Sequence, residues 1–293
     1  MKLEGCGTAI VTPFREDGAI DEAALRNLVE WQIASGISLL VACGTTGETP
    51  TLDEQEWLRV IEIVVEAAAG RVPVLAGCTH NSTREAVEKT KRACGVRGLS
   101  ALLSANPYYN KPTQEGQFQH FRAIADASSL PVVLYNIPGR SAVNLEPATV
   151  ARLAEIDNIV GVKESSGNLQ QITEIITSVP ADFKVMAGDD NLALAILGVG
   201  GAGLVSVASN LIPAEMSAMV NAALAGDWDK AREMNRKYYR LMLANFWEPS
   251  PIPVKYLLAR MGRIEESYRL PMTPATDETR QRLDRVAAGL GLI

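Results

Sequence analysis

Short apolar, β-branched segments recur along the first two-thirds of this 293-residue chain, near 7–12, 38–43, 72–77, 99–104, 131–136, 159–164, 183–187 and 202–207. Between them lie longer stretches with helical amphipathic spacing, for example 21–34, 53–69, 82–94, 114–127, 146–155 and 168–178. Strands that alternate with helices predict parallel pairing, because parallel neighbours need a connection long enough to hold a helix. Eight such units in about 200 residues predict a (β/α)8 barrel, with a doubly wound open sheet as the alternative. Helix starts are marked: Asp21 reads as an N-cap, and Thr51-Leu52-Asp53-Glu54 and Ser82-Thr83-Arg84-Glu85 each fit a capping box.

The alternation stops after Gly226-Asp227. The remainder of the chain reads as helices near 229–246, 252–261 and 276–289, separated by proline-containing stretches. We therefore read residues 1–225 as the barrel carrying the active site and 226–293 as a C-terminal helical appendage.

A net charge of −6 argues against a nucleic-acid or anionic-membrane partner. The first residues, Met1 to Gly7, lack the apolar run of a signal peptide, so the expected location is cytoplasmic. Residues 191–214 carry no charge, but four glycines and Pro213 break the run into helix, turn, strand and loop rather than a membrane span. Cys6, Cys43, Cys78 and Cys94 form no C-x-x-C pair and are expected to be reduced thiols. With only His80 and His120, a three-histidine metal site within one chain is impossible, and no metal is expected.

In a barrel of this kind the active site lies where strands end. Lys163 sits in the apolar strand Ile159-Val160-Gly161-Val162-Lys163. It is either a strand-end lysine that snorkels to water or a desolvated amine kept for attack on a carbonyl. Of the nine lysines it alone reads as lying within a buried strand; Lys255, for example, is assigned to a C-terminal helix. The turn Gly44-Thr45-Thr46-Gly47-Glu48 can present amides and hydroxyls to an anion, or be an ordinary strand-to-helix turn. Asn106-Pro107-Tyr108-Tyr109-Asn110-Lys111 ends the fourth strand unit. Tyr135 can act as acid or base, and Arg140 suits a carboxylate through its planar fork, or makes a surface ion pair. Asp189-Asp190 reads as a helix N-cap with a first-turn acid in preference to a catalytic couple, and Ser206 ends strand eight. Gly198-x-Gly200-x-x-Gly203 matches a dinucleotide fingerprint by letters, but precedes a strand instead of following one. Asn81-Ser82-Thr83 is a glycosylation sequon by letters only.

Together these segments resemble the pyruvate-dependent Schiff-base aldolase and lyase family. The resemblance runs from Gly7-Thr8-Ala9-Ile10-Val11-Thr12-Pro13-Phe14 to Pro251-Ile252-Pro253-Val254-Lys255 and Leu270-Pro271-Met272-Thr273-Pro274. The doubled threonine, Tyr108-Tyr109-Asn110-Lys111-Pro112 and Arg140 point to members that condense pyruvate with L-aspartate 4-semialdehyde in the diaminopimelate route to lysine. The resemblance implies a (β/α)8 barrel that needs no cofactor and assembles as a homotetramer, a dimer of dimers. It implies that Lys163 forms an imine with pyruvate and that Tyr135 is the acid/base, in a relay with Thr45 and with Tyr109 from a neighbouring subunit. Thr45 and Thr46 would hold the pyruvate carboxylate, Arg140 that of the second substrate, and the Val205 carbonyl would face pyruvate. Asn81, Glu85 and Tyr108 match a lysine-binding regulatory pocket of the family, whereas Glu54 and Trp57 stand where inhibited members often carry histidines; strong inhibition is therefore not expected. The alternatives are a related pyruvate-releasing aldolase, such as N-acetylneuraminate lyase or a 2-keto-3-deoxy-sugar-acid aldolase, and a non-catalytic barrel that binds oxo-acids.

Overall fold

The computed structural model describes residues 2–293. Eight parallel strands close into one barrel in sequence order: β1 Gly5–Ala9, β2 Leu39–Ala42, β3 Val74–Gly77, β4 Ala101–Ala105, β5 Val132–Asn136, β6 Ile159–Glu164, β7 Lys184–Ala187 and β8 Gly203–Ser206. The open-sheet alternative is excluded by the pairing of β1 with β8, in which Gly7 lies opposite Val205. All eight predicted strands are present, with ends displaced by up to three residues.

The period-2 alternation of the strands divides the core in two. Leu39, Val41, Leu75, Leu103, Val133 and Met186 point inward and fill the barrel. Their neighbours Leu40, Ala42, Leu102, Val132 and Leu134 point outward to meet the apolar faces of the helices. The barrel is filled rather than open. A Cβ on Gly161 would come within 2.7 Å of Leu3, and one on Gly203 within 2.8 Å of Met186.

Helix starts depart from the expected capping boxes in an instructive way. Asp21 caps Glu22–Ala34 as expected, accepting from the Ala24 amide at 2.9 Å. Helix Glu54–Ala68, however, starts at Asp53, not Thr51: Asp53 accepts from the Glu56 amide (2.9 Å) while Glu56 accepts from the Asp53 amide (3.1 Å). Thr51 instead closes a 3-10 turn by donating to the Glu48 carbonyl at 2.9 Å. Ser82 caps Thr83–Cys94, but Glu85 does not reach back to complete a box; its carboxylate pairs with Arg84 at 3.0 Å.

After β8, helix Pro213–Leu224 packs on β1 and completes the outer ring. Helices Trp228–Ala244, Ile252–Arg260 and Asp277–Gly289 form the C-terminal appendage. The glycine run ends helix Ala193–Gly198 and leads into β8, with Gly200 at φ +107°, so it opens no nucleotide-binding helix. Among the described residues no helix is long and apolar enough to cross a membrane.

Candidate active site

Lys163 and Tyr135 are in register on adjacent strands near their C-terminal ends. Both point inward, where the apolar filling gives way to a cavity of about 450 Å³. Lys163 is 6% exposed, and its Nζ lies 4.1 Å from the centroid of the Tyr135 ring. The snorkelling alternative is thus excluded, because the amine ends in the cavity and not in bulk water. Room for it is made by Gly188, one residue beyond β7. A Cβ there would stand 2.9 Å from Lys163 Cε and would overlap Ser165 Oγ.

The elimination that singled out Lys163 needs one correction. Lys255 is even more buried, with its side chain wholly inaccessible. The two lysines differ in company. Lys255 Nζ sits 2.5 Å from the Glu48 carboxylate and between the rings of Phe14 and Tyr268. Burial pulls its ammonium below the usual lysine value, and Glu48 opposes this. Lys163 has no carboxylate within ion-pair distance among the described residues, so it is the buried amine left available for chemistry.

Asp189 and Asp190 take the expected N-cap and first-turn positions, but neither side chain caps the turn. Asp189 stands at the N-cap position of the 3-10 turn Asp190–Leu192 but makes no side-chain cap bond. Its carboxyl is raised by burial, and Lys163 and then Ser165 pull it back down. Asp190 is the first-turn acid, but it serves the barrel and not the turn. It is buried and accepts from the amides of Val207 (3.1 Å) and Ala208 (2.9 Å), satisfying donors just after β8. Asp189 therefore holds the expected N-cap position without the capping bond, and it does not line the cavity.

The Thr45–Thr46 turn lies at the end of β2. The 3-10 segment Thr45–Gly47 is flanked by Cys43 and Glu48, both at φ +53°. Four bonds hold it: Gly47 N to Gly44 O (3.0 Å), Glu48 N to Thr45 O (3.1 Å), Thr49 Oγ1 to Gly44 O (2.9 Å) and Thr12 Oγ1 to Gly47 O (2.8 Å). Thr45 lines the cavity, whereas Thr46 is buried behind it. Arg140 also lines the cavity, on the one-turn helix Pro138–Ser141. Among the described residues it makes no ion pair; its Nη2 donates to the Ser250 carbonyl at 3.2 Å.

Not every expected residue is brought to the cavity within one chain. Val205 is in the barrel filling and Ser206 is tied up by the Ser209 amide at 2.8 Å. Tyr109 is 87% exposed at φ +75° and points away from its own cavity, while Tyr108 reaches the rim. No hydrogen bond joins Tyr135 to Thr45 or Tyr109 among the described residues of one chain. Thr79, His80 and Asn106, absent from the expected set, also line the cavity. Glu164 was missed as well. It faces outward from the barrel, accepts from Asn136 Nδ2 (3.0 Å) and the Ser166 amide (2.7 Å), and is raised by burial. It thereby locks together the strand ends that carry Tyr135 and Lys163.

A family model described as the dihydrodipicolinate synthetase family matches residues 2–289. The chain belongs to that family. A 4-hydroxy-tetrahydrodipicolinate synthase from Acidobacterium capsulatum is 63% identical over 294 residues, covering 100% of this chain and 97% of the relative. The fold superimposes on a dihydrodipicolinate synthase from Acinetobacter baumannii complexed with pyruvate, with a TM-score of 0.97, 43% identity and full coverage of both chains. A monomeric dihydrodipicolinate synthase variant matches with a TM-score of 0.97 and 39% identity over 99% of this chain and 97% of that one.

Proposed function

We propose that this chain condenses pyruvate with L-aspartate 4-semialdehyde to give 4-hydroxy-tetrahydrodipicolinate, as a class I lyase in the diaminopimelate route to lysine. The observation that carries the reading is a buried, unpaired Lys163 in contact with Tyr135 at the floor of a strand-end cavity. In its neutral form, the Lys163 amine attacks the C2 carbonyl of pyruvate, and loss of water leaves an imine. Removal of a C3 proton gives an enamine, which attacks the aldehyde carbon. The amine of the second substrate then closes onto the imine carbon and displaces Lys163. Each nucleophile, the lysine amine, the enamine carbon and the substrate amine, brings its own electron pair, and the iminium is the electron sink, so the sequence of steps requires no cofactor.

Tyr135 serves as the acid/base, supported by its contact with the amine. Thr45 and Thr46 hold the pyruvate carboxylate, and the Val205 carbonyl faces the bound pyruvate. Arg140 receives the second carboxylate, which its place on the cavity wall and lack of an ion pair support. Tyr109 completes the proton relay in the cavity of a neighbouring copy. The left-handed backbone and near-complete exposure of this large aromatic side chain support that role. A dimer is then the minimum active unit, a homotetramer built from two dimers is the proposed assembly, and the cytoplasm is the proposed location. Asn81, Glu85 and Tyr108 form the counterpart of the lysine-binding pocket, with weak response to lysine. Trp57 is buried there, bonded to the Gly77 carbonyl and covered by Lys89, and Glu54 is engaged by Arg92.

Borohydride trapping with pyruvate, read by peptide mass spectrometry, tests the reading. A reduced adduct on Lys163, lost in Lys163→Ala, is expected. A folded wild-type sample without adduct would overturn the imine mechanism.

A further inference from the structure

One short C-terminal segment reaches Arg140, to which the proposed reaction assigns one substrate carboxylate, and the residue that follows the threonine turn assigned to the other. The Ser250 carbonyl accepts from Arg140. Five residues later, Lys255 reaches Glu48, 207 positions away in sequence and directly after the Thr45–Thr46–Gly47 turn. Glu48 is an unusual residue at that place. Its backbone is left-handed, a conformation a non-glycine side chain adopts at a cost, yet its carboxylate is turned inward and buried. The two carboxylate oxygens are divided: Oε1 takes the Lys255 ammonium at 2.5 Å, and Oε2 the Arg269 amide at 3.3 Å. Arg269 in turn donates to the Thr51 carbonyl (2.9 Å), to the Gly18 carbonyl (2.7 Å) and to both oxygens of Glu56 (2.6 Å each).

Stability is a weak reason for such a pair. Replacing a buried ion pair by apolar groups of similar volume is often neutral or better, because desolvating two charges offsets their attraction. What the pair supplies here is direction. It pins the residue that ends the threonine turn to a helix on the far side of the chain, and so sets where the Thr45 hydroxyl and the turn's amides point.

We propose that Lys255 and Glu48 are a positioning pair for the threonine turn, acting on pyruvate through Thr45 and Thr46. The C-terminal appendage is thus a working part of the substrate site. This rests on the assignment of Thr45 and Thr46 to the pyruvate carboxylate.

The test compares wild type with Lys255→Met and with the charge-free double variant Glu48→Gln/Lys255→Met. Fold and assembly are checked by circular dichroism and sedimentation. Steady-state constants are measured for each substrate separately, along with the rate of borohydride trapping at low pyruvate. The single variant leaves Glu48 buried without a counter-charge and can fail to fold; the double variant does not carry that burden. In the folded double variant, KM for pyruvate is expected to rise about tenfold or more, since a misplacement of about 1 Å at a positioning group can cost up to about 100-fold. Trapping at low pyruvate should slow in proportion. KM for the aldehyde should change little, because Arg140 keeps its Ser250 contact. A folded double variant with wild-type KM for pyruvate would overturn the proposal. So would an equal rise in both KM values, which would mark general loosening. A wild type that forms no pyruvate adduct at all would instead strike at the reaction itself.

Discussion

Burial of His120 is expected to make this fold sensitive to mild acid. The residue lies on helix Gln114–Ala127, 3% exposed, with Nδ1 2.9 Å from the Thr83 hydroxyl and Nε2 buried without a partner. Burial, with a smaller contribution from His80, pulls its pKa from 6.5 down to about 4. A histidine whose folded value is depressed binds its proton in the unfolded chain first. Its contribution to stability is therefore complete above pH 6.5 and is lost as pH falls towards 4. A shift of about 2.5 units corresponds to about 3 kcal/mol in full, of which about 2 kcal/mol is gone by pH 5. Carboxylates also titrate over this range, so the informative quantity is a difference. Urea unfolding of wild type and of His120→Gln, at pH 7.5 and pH 5.0 and equal protomer concentration, should show an acid loss about 2 kcal/mol smaller in the variant. The glutamine keeps a group able to bond Thr83 but has nothing to protonate. Equal acid losses in the two proteins, or an imidazole that titrates near 6.5 by NMR, would refute the reasoning.

Gly188→Ala should fold, because the added methyl meets movable side chains and not backbone, at a stability cost of about 1–3 kcal/mol. Since one of those side chains is Lys163, pyruvate trapping should slow by about tenfold or more; an unchanged trapping rate would show that the amine has freedom the packing does not imply. Calorimetric titration with free lysine should give weak or no heat at Asn81, Glu85 and Tyr108, and tight binding would contradict the reading of Trp57 and Glu54.

Much of the barrel was legible without coordinates because its signals are local. A strand buried on both faces is a short apolar run, a helix on the outer ring carries a 3.6-residue stripe, and both survive in the sequence as spacing. Lys163 was legible for the same reason: a charged residue inside such a run is an anomaly wherever the strand ends up. The residues that were misread are those with two local meanings. Asp189 holds an N-cap position without making the capping bond, and Thr51 and Asp53 compete for one helix start within three residues. Lys255 was dismissed because a lysine on an amphipathic helix is normally solvated, and nothing near it in sequence says otherwise.

What the sequence alone determined, then, is the alternation that closes eight strands into a barrel and the presence of an amine inside it. Tertiary structure alone decided which buried amine is free. The Glu48 carboxylate that neutralises Lys255 arrives from 207 residues away, and the Tyr135 ring that meets Lys163 arrives from a neighbouring strand. Coulombic pairing acts over a few ångströms in space and leaves no period in the chain, so only the closed fold can show it.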